Sequence, residues 1–383
     1  MHFQTKTLSL FLFFIIFPFF AQFKPSKNYT TADGLPNNAV RSLYLDKNED
    51  LWIGTENGIS KLENGAFTNL VFPKSFTNNS CWDITQDTKG SMWFASYGGG
   101  VFKFDGENFK IFSKKNGLPV NRCRKLLAYK DKVFVGTELG VAIIDIHTNR
   151  LSVPKEILPH FGVFMVSDFF VYNNEVYFSA INEGLFKITY KNNIPVIEPV
   201  FKFQFAYSLG FYNNTIFSGN KGFIDRLKIQ DLISGKTASK SFGKSVVWDF
   251  AKDKNNTLYG AAWGIFDLSG GLYRITDNEM TNISEQYGID SKSLLNVVYN
   301  AKKDILYVGS KDKGIYEIQL DKTIDYNPFG NKKVVDFETL EQLHQFRDIL
   351  DLNFGSKTQF KNEDLQAEIY SVARHIEDRK SVV

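Results

Sequence analysis

The segment LWIGTENGISKL, residues 51–62, sets the pattern for most of the chain. It joins an aromatic residue between apolar neighbours to a polar loop, a glycine and a second run of alternating apolar residues. The pattern recurs as MWFASYGGGVFKF from Met92, VFVGTELGVAII from Val133, VYFSAINEGLFKI from Val176, IFSGNKGFIDRL from Ile216, LYGAAWGIFDLSGGLYRI from Leu258 and LYVGSKDKGIYEI from Leu306. The aromatic residues that anchor the seven copies are Trp52, Trp93, Phe134, Tyr177, Phe217, Tyr259 and Tyr307.

Successive anchors lie 40 to 48 residues apart. A period of roughly 40 to 45 residues with several short strands per unit is typical of β-propeller blades. Helical solenoids share such periods, but the apolar residues here form short alternating or continuous runs that end at Asn, Gly, Asp and Lys turns, which indicates strands. We therefore expect an all-β fold, a seven-bladed β-propeller with four-stranded antiparallel blades.

A further strand precedes each anchor, for example VRSLYLD from Val40, and a polar hairpin joins the two. We name the strands of a blade A to D from the inside outwards, so that the anchor lies in strand B and the glycine begins strand C. The last copy has strands A to C and ends near Leu320, whereas the segment Phe23 to Thr31 has no blade of its own. This segment is expected to supply strand D of blade seven, because that closure removes exposed sheet edges.

The two ends of the chain differ from the repeats. Residues 1–21 have a mildly basic start, an apolar run and a cleavage point after Ala21, which predicts a signal peptide; an uncleaved membrane anchor is the alternative. Residues 22–322 are the predicted propeller, and no later segment reads as a membrane span. Residues 323–383 carry two amphipathic stripes, which indicate a mainly helical C-terminal extension or an incomplete further domain.

The segment YTTADGLPNNAVRSLYLDKNEDLWIGTENGISKL, Tyr29 to Leu62, resembles the two-component regulator propeller repeat of bacterial extracytoplasmic sensors. GLP recurs at 117–119, WFASYGGGVFKFDGENF from Trp93 is a second good match, and the resemblance covers about residues 23–320. It implies a periplasmic or secreted ligand-sensing propeller, often linked to a histidine kinase and to glycan use. This chain departs from that architecture because it has no kinase phospho-acceptor module, so we expect signal output through a partner or through sequence outside it.

One column of residues at the start of strand A is the predicted ligand site. Its members lie 10 or 11 residues before each anchor and are Arg41, Trp82, Arg124, Ser167, Tyr207, Trp248 and Asn296. Aromatic side chains can stack on sugar rings, and arginine can bind a carboxylate through two parallel hydrogen bonds. Because the D–A and B–C loops share one face of a propeller, we expect the ligand on that face. The alternative is that these side chains pack between blades.

The B–C loop of blade six is longer than the others. Twelve residues lead from Tyr259 to Gly271, against five to seven in the other blades, and they include Trp263, Phe266 and Asp267. Aromatic side chains on an irregular loop are costly to expose, so we add Trp263 to the predicted ligand site. The alternative is that the loop caps a neighbouring blade.

The remaining signals are weak. Cys81 and Cys123 fall in register in adjacent blades, which allows either a disulfide or two buried thiols. The D-x-N-x-D motif at 46–50 resembles a calcium loop, but a hairpin turn explains it, and the segment 85–93 resembles a single Asp-box. The histidines form no metal-ligand pair, so neither a metal nor a cofactor is predicted.

The chain carries 45 Lys and Arg against 42 acidic residues, and this balance favours no nucleic-acid partner. The primary expectation is a non-enzymatic, extracytoplasmic sensor propeller that binds an oligosaccharide or a similar small molecule and acts on a signalling protein. Two alternatives stay open: a propeller polysaccharide hydrolase or lyase, and an envelope scaffold that binds other proteins.

Overall fold

A computed structural model describes residues 26–73, 78–154, 164–202, 207–220, 223–234, 240–243, 245–264, 269–276 and 279–320. Among these residues, seven four-stranded antiparallel sheets follow one another along the chain. The innermost strand of each sheet contacts that of the next, and the innermost strand of the last sheet contacts that of the first. The fold is therefore a seven-bladed β-propeller of four-stranded blades, as the repeat predicts.

The strand bounds follow the repeat closely. β1 (Lys27–Tyr29) precedes the first blade. Blades one and two are formed by β2 (Val40–Leu45), β3 (Leu51–Thr55), β4 (Gly58–Glu63) and β5 (Ala66–Asn69), then β6 (Asp83–Gln86), β7 (Met92–Ser96), β8 (Gly100–Phe104) and β9 (Phe109–Phe112). Blades three and four are formed by β10 (Cys123–Tyr129), β11 (Lys132–Thr137), β12 (Gly140–Asp145) and β13 (Leu151–Ser152), then β14 (Val166–Tyr172), β15 (Glu175–Ala180), β16 (Gly184–Lys191) and β17 (Ile194–Phe201).

The last three blades contain the one α-helix of the described residues, α1 (Ile229–Ile233), which follows β20. Blades five and six are formed by β18 (Ser208–Tyr212), β19 (Thr215–Asn220), β20 (Phe223–Lys228) and β21 (Lys240–Phe242), then β22 (Val246–Lys252), β23 (Leu258–Trp263), β24 (Gly271–Ile275) and β25 (Met280–Asn282). Blade seven is formed by β26 (Leu294–Asn300), β27 (Ile305–Ser310) and β28 (Ile315–Gln319). Short 3-10 helices occupy Thr31–Asp33, Lys114–Asn116 and Glu285–Tyr287.

The chain closes its own ring. β1 pairs antiparallel with β28 and is the outer strand of blade seven, with Tyr29 opposite Ile315. Tyr29 is buried, and its hydroxyl donates to Glu317 at 3.0 Å. The predicted closure is confirmed, because the segment before blade one supplies the missing strand.

The A–B hairpins are held by an aspartate that bonds the anchor. The indole Nε1 of Trp52 donates to Asp46 Oδ2 at 2.9 Å, and that of Trp93 donates to Asp87 Oδ2 at 2.8 Å. In both turns Oδ1 of the aspartate accepts two backbone N–H groups of the same turn. The motif at 46–50 and the segment 85–93 are therefore turn clamps, which supports the hairpin interpretation over a calcium loop.

Each inner strand begins with a β-bulge, in which two residues lie opposite one residue of strand B. Register shifts mark the bulge in five blades, and Trp82 and Tyr207 bond the residue of strand B that pairs with their successors in the other two. The bulged residues are Arg41, Trp82, Arg124, Ser167, Tyr207, Trp248 and Leu295. Because a bulge changes the direction of its side chain, this column is turned away from the regular pleat.

Asn296 does not belong to this column. The bulged residue of blade seven is Leu295, and Asn296 pairs with Gly309 in the regular part of the sheet. The sequence prediction was wrong here because it counted back from the anchor Tyr307, and blade seven has one more residue between bulge and anchor than the longest of the other blades.

The residue after each bulge joins its blade to the next. These residues are Ser42, Asp83, Lys125, Asp168, Ser208, Asp249 and Asn296. The contacts are Ser42 Oγ to Cys81 O (3.4 Å), Leu126 N to Asp83 Oδ2 (2.7 Å), Lys125 Nζ to Asp168 Oδ1 (4.0 Å), Leu209 N to Asp168 Oδ2 (3.0 Å), Ser208 Oγ to Val247 O (2.7 Å), Val297 N to Asp249 Oδ2 (3.0 Å) and Asn296 Nδ2 to Arg41 O (2.7 Å). A ring of polar contacts thus crosses all seven blade junctions.

Cys81 and Cys123 are free thiols, and both are buried. Burial raises the pKa of each thiol well above its usual range. Of the two alternatives from the sequence, the structure shows the buried thiols.

The predicted signal peptide, residues 1–21, and the predicted extension, residues 323–383, lie outside the described residues, and both stay predictions. None of the helices in the described part of the chain is long and apolar enough to cross a membrane.

Candidate functional site

Six of the seven residues that were predicted at the inner column are the bulged residues at the start of strand A. The B–C turns come to the same end of the blades, so that Glu56 contacts Arg41 and Tyr97 contacts Trp82. We call this end of the propeller the loop face. The structure brings its side chains together in two clusters, one over blades one to three and one over blades five to seven.

The first cluster is built around Trp82. The ring of Tyr97 stacks on the indole with centroids 4.3 Å apart and an angle of 16° between the planes. The guanidinium groups of Arg41 and Arg124 lie 4.9 and 5.3 Å from the indole centroid. Aromatic and cationic groups of the protein therefore already contact Trp82, which makes it a support for the arginines rather than a bare stacking platform.

Two glutamates from B–C turns pair with arginines of the first cluster. Arg41 forms an ion pair with Glu56, and Arg122 forms one with Glu138. Glu138 also accepts the hydroxyl hydrogen of Tyr97. Glu138 is nearly fully buried, so its two partners offset the cost of removing the carboxylate from water.

Arg124 differs from its two neighbours. No hydrogen bond or ion pair joins it to any residue that the structure describes, and its Nε is buried. The indole Nε1 of Trp82 is likewise buried without a hydrogen-bond partner in the described part of the chain. Burial lowers the pKa of Arg124 from its usual value, against the opposing effect of Tyr97 and Glu138.

The second cluster consists of three aromatic side chains. Tyr207 stacks on Trp248 with centroids 5.6 Å apart, and Trp263 meets Trp248 edge to face at 5.1 Å. The ammonium of Lys311, from the B–C turn of blade seven, lies 5.1 Å from the centroid of Trp263. Trp263 ends strand β23 and is only partly buried. Phe266 and Asp267, the other residues singled out in this insertion, lie outside the described residues.

The two other residues of the predicted column serve the fold. Ser167 is 2% exposed, and its hydroxyl bonds that of Ser179 at 2.7 Å. Asn296 is 7% exposed, and its amide bonds blade one. Neither belongs to the two clusters described above.

Sequence reasoning missed a charged group that lies one residue deeper than the bulges. Lys125 is 4.0 Å from Asp168, and burial opposes its charge, but Asp168, Asp83 and Asp249 together raise its pKa. Burial raises the pKa of Asp83 to about 6 and that of Asp249 to about 7, although Lys125 works against both shifts. The signal in the sequence was the residue after each bulged position, which is Asp in three blades and Lys in a fourth.

A groove of about 890 Å³ lies at the opposite end of the blades, between the A–B hairpins of blades five and six. Four basic residues and one acidic residue line it, namely Arg226, Lys228, Lys252, Arg274 and Asp231. A smaller groove of about 480 Å³ lies between the hairpins of blades three and four, and its charged residues balance, namely Lys130, Lys132, Asp131 and Glu175. The positive charge of the larger groove is therefore not a requirement of the hairpin geometry.

Comparison with protein families supports the resemblance seen in the repeats. Residues 34–57 match the family described as two component regulator propeller. The chain carries a two component regulator propeller repeat. The match lies within blade one and the loop before it, in the segment from which the resemblance was inferred.

Several solved structures share this fold. Two are extracellular domains from B. thetaiotaomicron, described as parts of a one component system (14% identity, TM-score 0.62, covering 77% of this chain and 40% of that one) and of a hybrid two component system (16%, 0.61, 77% and 42%). A third is virginiamycin B lyase from Staphylococcus aureus (14%, 0.60, 77% and 98%). At these identities the likeness shows the fold, and the chain spans about two fifths of the two sensor domains. No curated protein matches the sequence.

Proposed function

We propose that this propeller is the extracytoplasmic ligand-binding part of a sensor, that it binds an oligosaccharide or a related solute on the loop face, and that a protein partner carries the signal. The observation that carries the proposal is the aromatic cluster of Tyr207, Trp248 and Trp263, which lies at the end of the blades where propellers commonly bind ligands. The repeat family and the fold shared with sensor domains support the same role.

The chemistry of the loop face suits a sugar. Indole and phenol rings present flat apolar surfaces that match the apolar faces of pyranose rings, and the nearby cations donate hydrogen bonds to hydroxyl groups. Because Trp263 is partly exposed at the rim of the cluster, it is the residue best placed to meet a ligand.

The proposed role is non-catalytic. Asp83 and Asp249 have raised pKa values, but each carboxylate accepts a backbone N–H group from the neighbouring blade. These carboxylates are therefore engaged in holding blades together. The lyase of like fold makes an enzyme the second candidate, and release of unsaturated or hydrolysed fragments from a polysaccharide would favour it.

Binding can be tested by thermal unfolding with oligosaccharides prepared from arabinan, xylan, mannan, polygalacturonate, hyaluronan and alginate. A ligand that binds only the folded state stabilises it by about 2.7 kcal/mol at 100 times its Kd, so a true ligand should raise Tm by several degrees. We expect Trp263→Ala to weaken that ligand by at least about tenfold, because the stacking surface is lost.

Tyr190→Ala is the matched control, because Tyr190 is an exposed aromatic residue in an outer strand of blade four. It should leave the Tm shift unchanged. The proposal would be wrong if no oligosaccharide of the set raised Tm, or if the two substitutions weakened binding equally.

A further inference from the structure

The charged groups of the first cluster do not balance. Arg41 and Arg122 each have a glutamate partner, Glu56 and Glu138 respectively. Arg124 lies over the same indole ring as Arg41 and has none among the described residues. Three guanidinium groups therefore share two carboxylates, and the unmatched charge is that of Arg124.

An unmatched guanidinium is unusual at this depth. Buried charges in proteins are almost always paired, and buried donors almost always have an acceptor, because each unmade hydrogen bond costs free energy. Here two donors of one cluster lack acceptors at once, namely Nε of Arg124 and Nε1 of Trp82. Both residues are bulged out of the regular sheet, so the fold itself does not require them to face one another in this way.

We propose that the loop face recognises a carboxylate, that Arg124 is the residue that binds it, and that the ligand is a uronic-acid oligosaccharide. The inference rests on the proposed function and adds the class of sugar. A guanidinium can hold a carboxylate through two parallel N–H···O bonds, which removes the unmatched charge. The stack of Tyr97, Trp82 and Arg41 holds Arg124 in place before the ligand arrives, so little side-chain freedom is lost on binding.

The first test needs no ligand. Arg41 and Arg124 occupy equivalent bulges and contact the same indole, but only Arg41 has a carboxylate partner. We expect Arg41→Gln to lower Tm, because it leaves Glu56 without its partner, and Arg124→Gln to leave Tm unchanged or raised. A fall in Tm of several degrees for Arg124→Gln alone would mean that Arg124 stabilises the fold, and it would overturn the proposal.

The second test compares oligosaccharides from polygalacturonate, hyaluronan and alginate with the same oligosaccharides after chemical reduction of their carboxyl groups to alcohols. At least one acidic oligosaccharide should bind, and its reduced form should bind at least about tenfold more weakly. Arg124→Gln should remove that difference, and Arg124→Lys should restore only part of it, because lysine keeps the charge and loses the planar fork. Arg150→Gln, a substitution in an exposed turn, is the control for charge alone.

The outcomes separate the two proposals. If the reduced or neutral oligosaccharides bind as well as the acidic ones, the carboxylate inference is wrong and the sugar-binding function stands. If no oligosaccharide binds but a glutamate-rich peptide does so through Arg124, the sugar class is wrong. If nothing binds and Trp263→Ala has no effect either, both proposals fail.

Discussion

At the scale of single residues, the aspartate of the A–B turn has the clearest physical role. Asp87 accepts hydrogen bonds from the indole of Trp93 at 2.8 Å and from the backbone N–H groups of Lys89 and Ser91 at 2.9 and 3.0 Å. Asp87→Ala leaves three donors without a partner at a buried position, so we expect the free energy of unfolding to fall by about 2–4 kcal/mol. Urea denaturation followed by tryptophan fluorescence measures this loss.

Asp105→Ala is the matched control, because Asp105 caps an exposed turn through the N–H groups of Glu107 and Asn108. Water can replace those bonds, so the free energy of unfolding should fall far less than in the Asp87 variant. Equal losses in the two variants would contradict the assignment of Asp87 as the clamp of the anchor.

Residue positions in the site were predictable only where spacing is regular. Counting back from the anchors found the bulged residues Arg41 and Trp248 correctly, because the bulge lies 10 or 11 residues before the anchor in those and four further blades. The same count placed Asn296 one residue out, since the inner hairpin of blade seven is longer. The partners Tyr97 and Glu138 escaped notice because the B–C turns that carry them differ in length and composition from blade to blade.

At the scale of elements, the closeness of one blade to the next depends on small residues in strand B. A Cβ atom at Gly219 in β19 would lie 2.0 Å from the carbonyl oxygen of Val247 in the next blade, the atom that also accepts the hydroxyl hydrogen of Ser208 at 2.7 Å. Gly219→Ala therefore forces β22 away, and we expect a loss of about 1–3 kcal/mol in the free energy of unfolding.

Gly65→Ala serves as the comparison for that experiment. Gly65 lies in the turn between β4 and β5 with φ of 81°, and a Cβ atom there would have no other atom within 4 Å, so the change costs only backbone strain of about 1 kcal/mol. A loss at position 219 no greater than at position 65 would show that the blades can separate freely there.

At the scale of the whole molecule, the repeat predicted the number of blades, their four strands and the closure by β1, because those features follow from local patterns that occur seven times. The ring of contacts between blades was not predictable in the same way. Its members are Ser, Asp, Lys and Asn, and each uses a different bond to reach the next blade. No single residue type marks the position, so only the register of the folded sheets reveals it.

The central charged group makes the stability of the whole ring depend on pH. Three carboxylates, those of Asp83, Asp168 and Asp249, surround the ammonium of Lys125. The pKa of Asp249 is raised to about 7 and that of Asp83 to about 6, in both cases chiefly by burial. A carboxyl group with a raised pKa holds its proton more tightly in the folded state, so its contribution to stability is complete below its unfolded pKa of about 4 and is lost as the pH rises through its folded pKa.

We therefore expect Asp249→Asn to leave stability unchanged at pH 4 to 5 and to increase it by about 1–3 kcal/mol at pH 8, because the amide oxygen still accepts the N–H group of Val297 without burying a charge. Unfolding by urea at a series of pH values measures the difference between the variant and the wild type, which should grow between pH 5 and pH 8. Asp105→Asn, in an exposed turn where backbone hydrogen bonds lower the pKa, should show no such growth. Parallel curves for Asp249→Asn and the wild type would mean that Asp249 is already charged throughout this range, and that Lys125 rather than burial governs the centre of the ring.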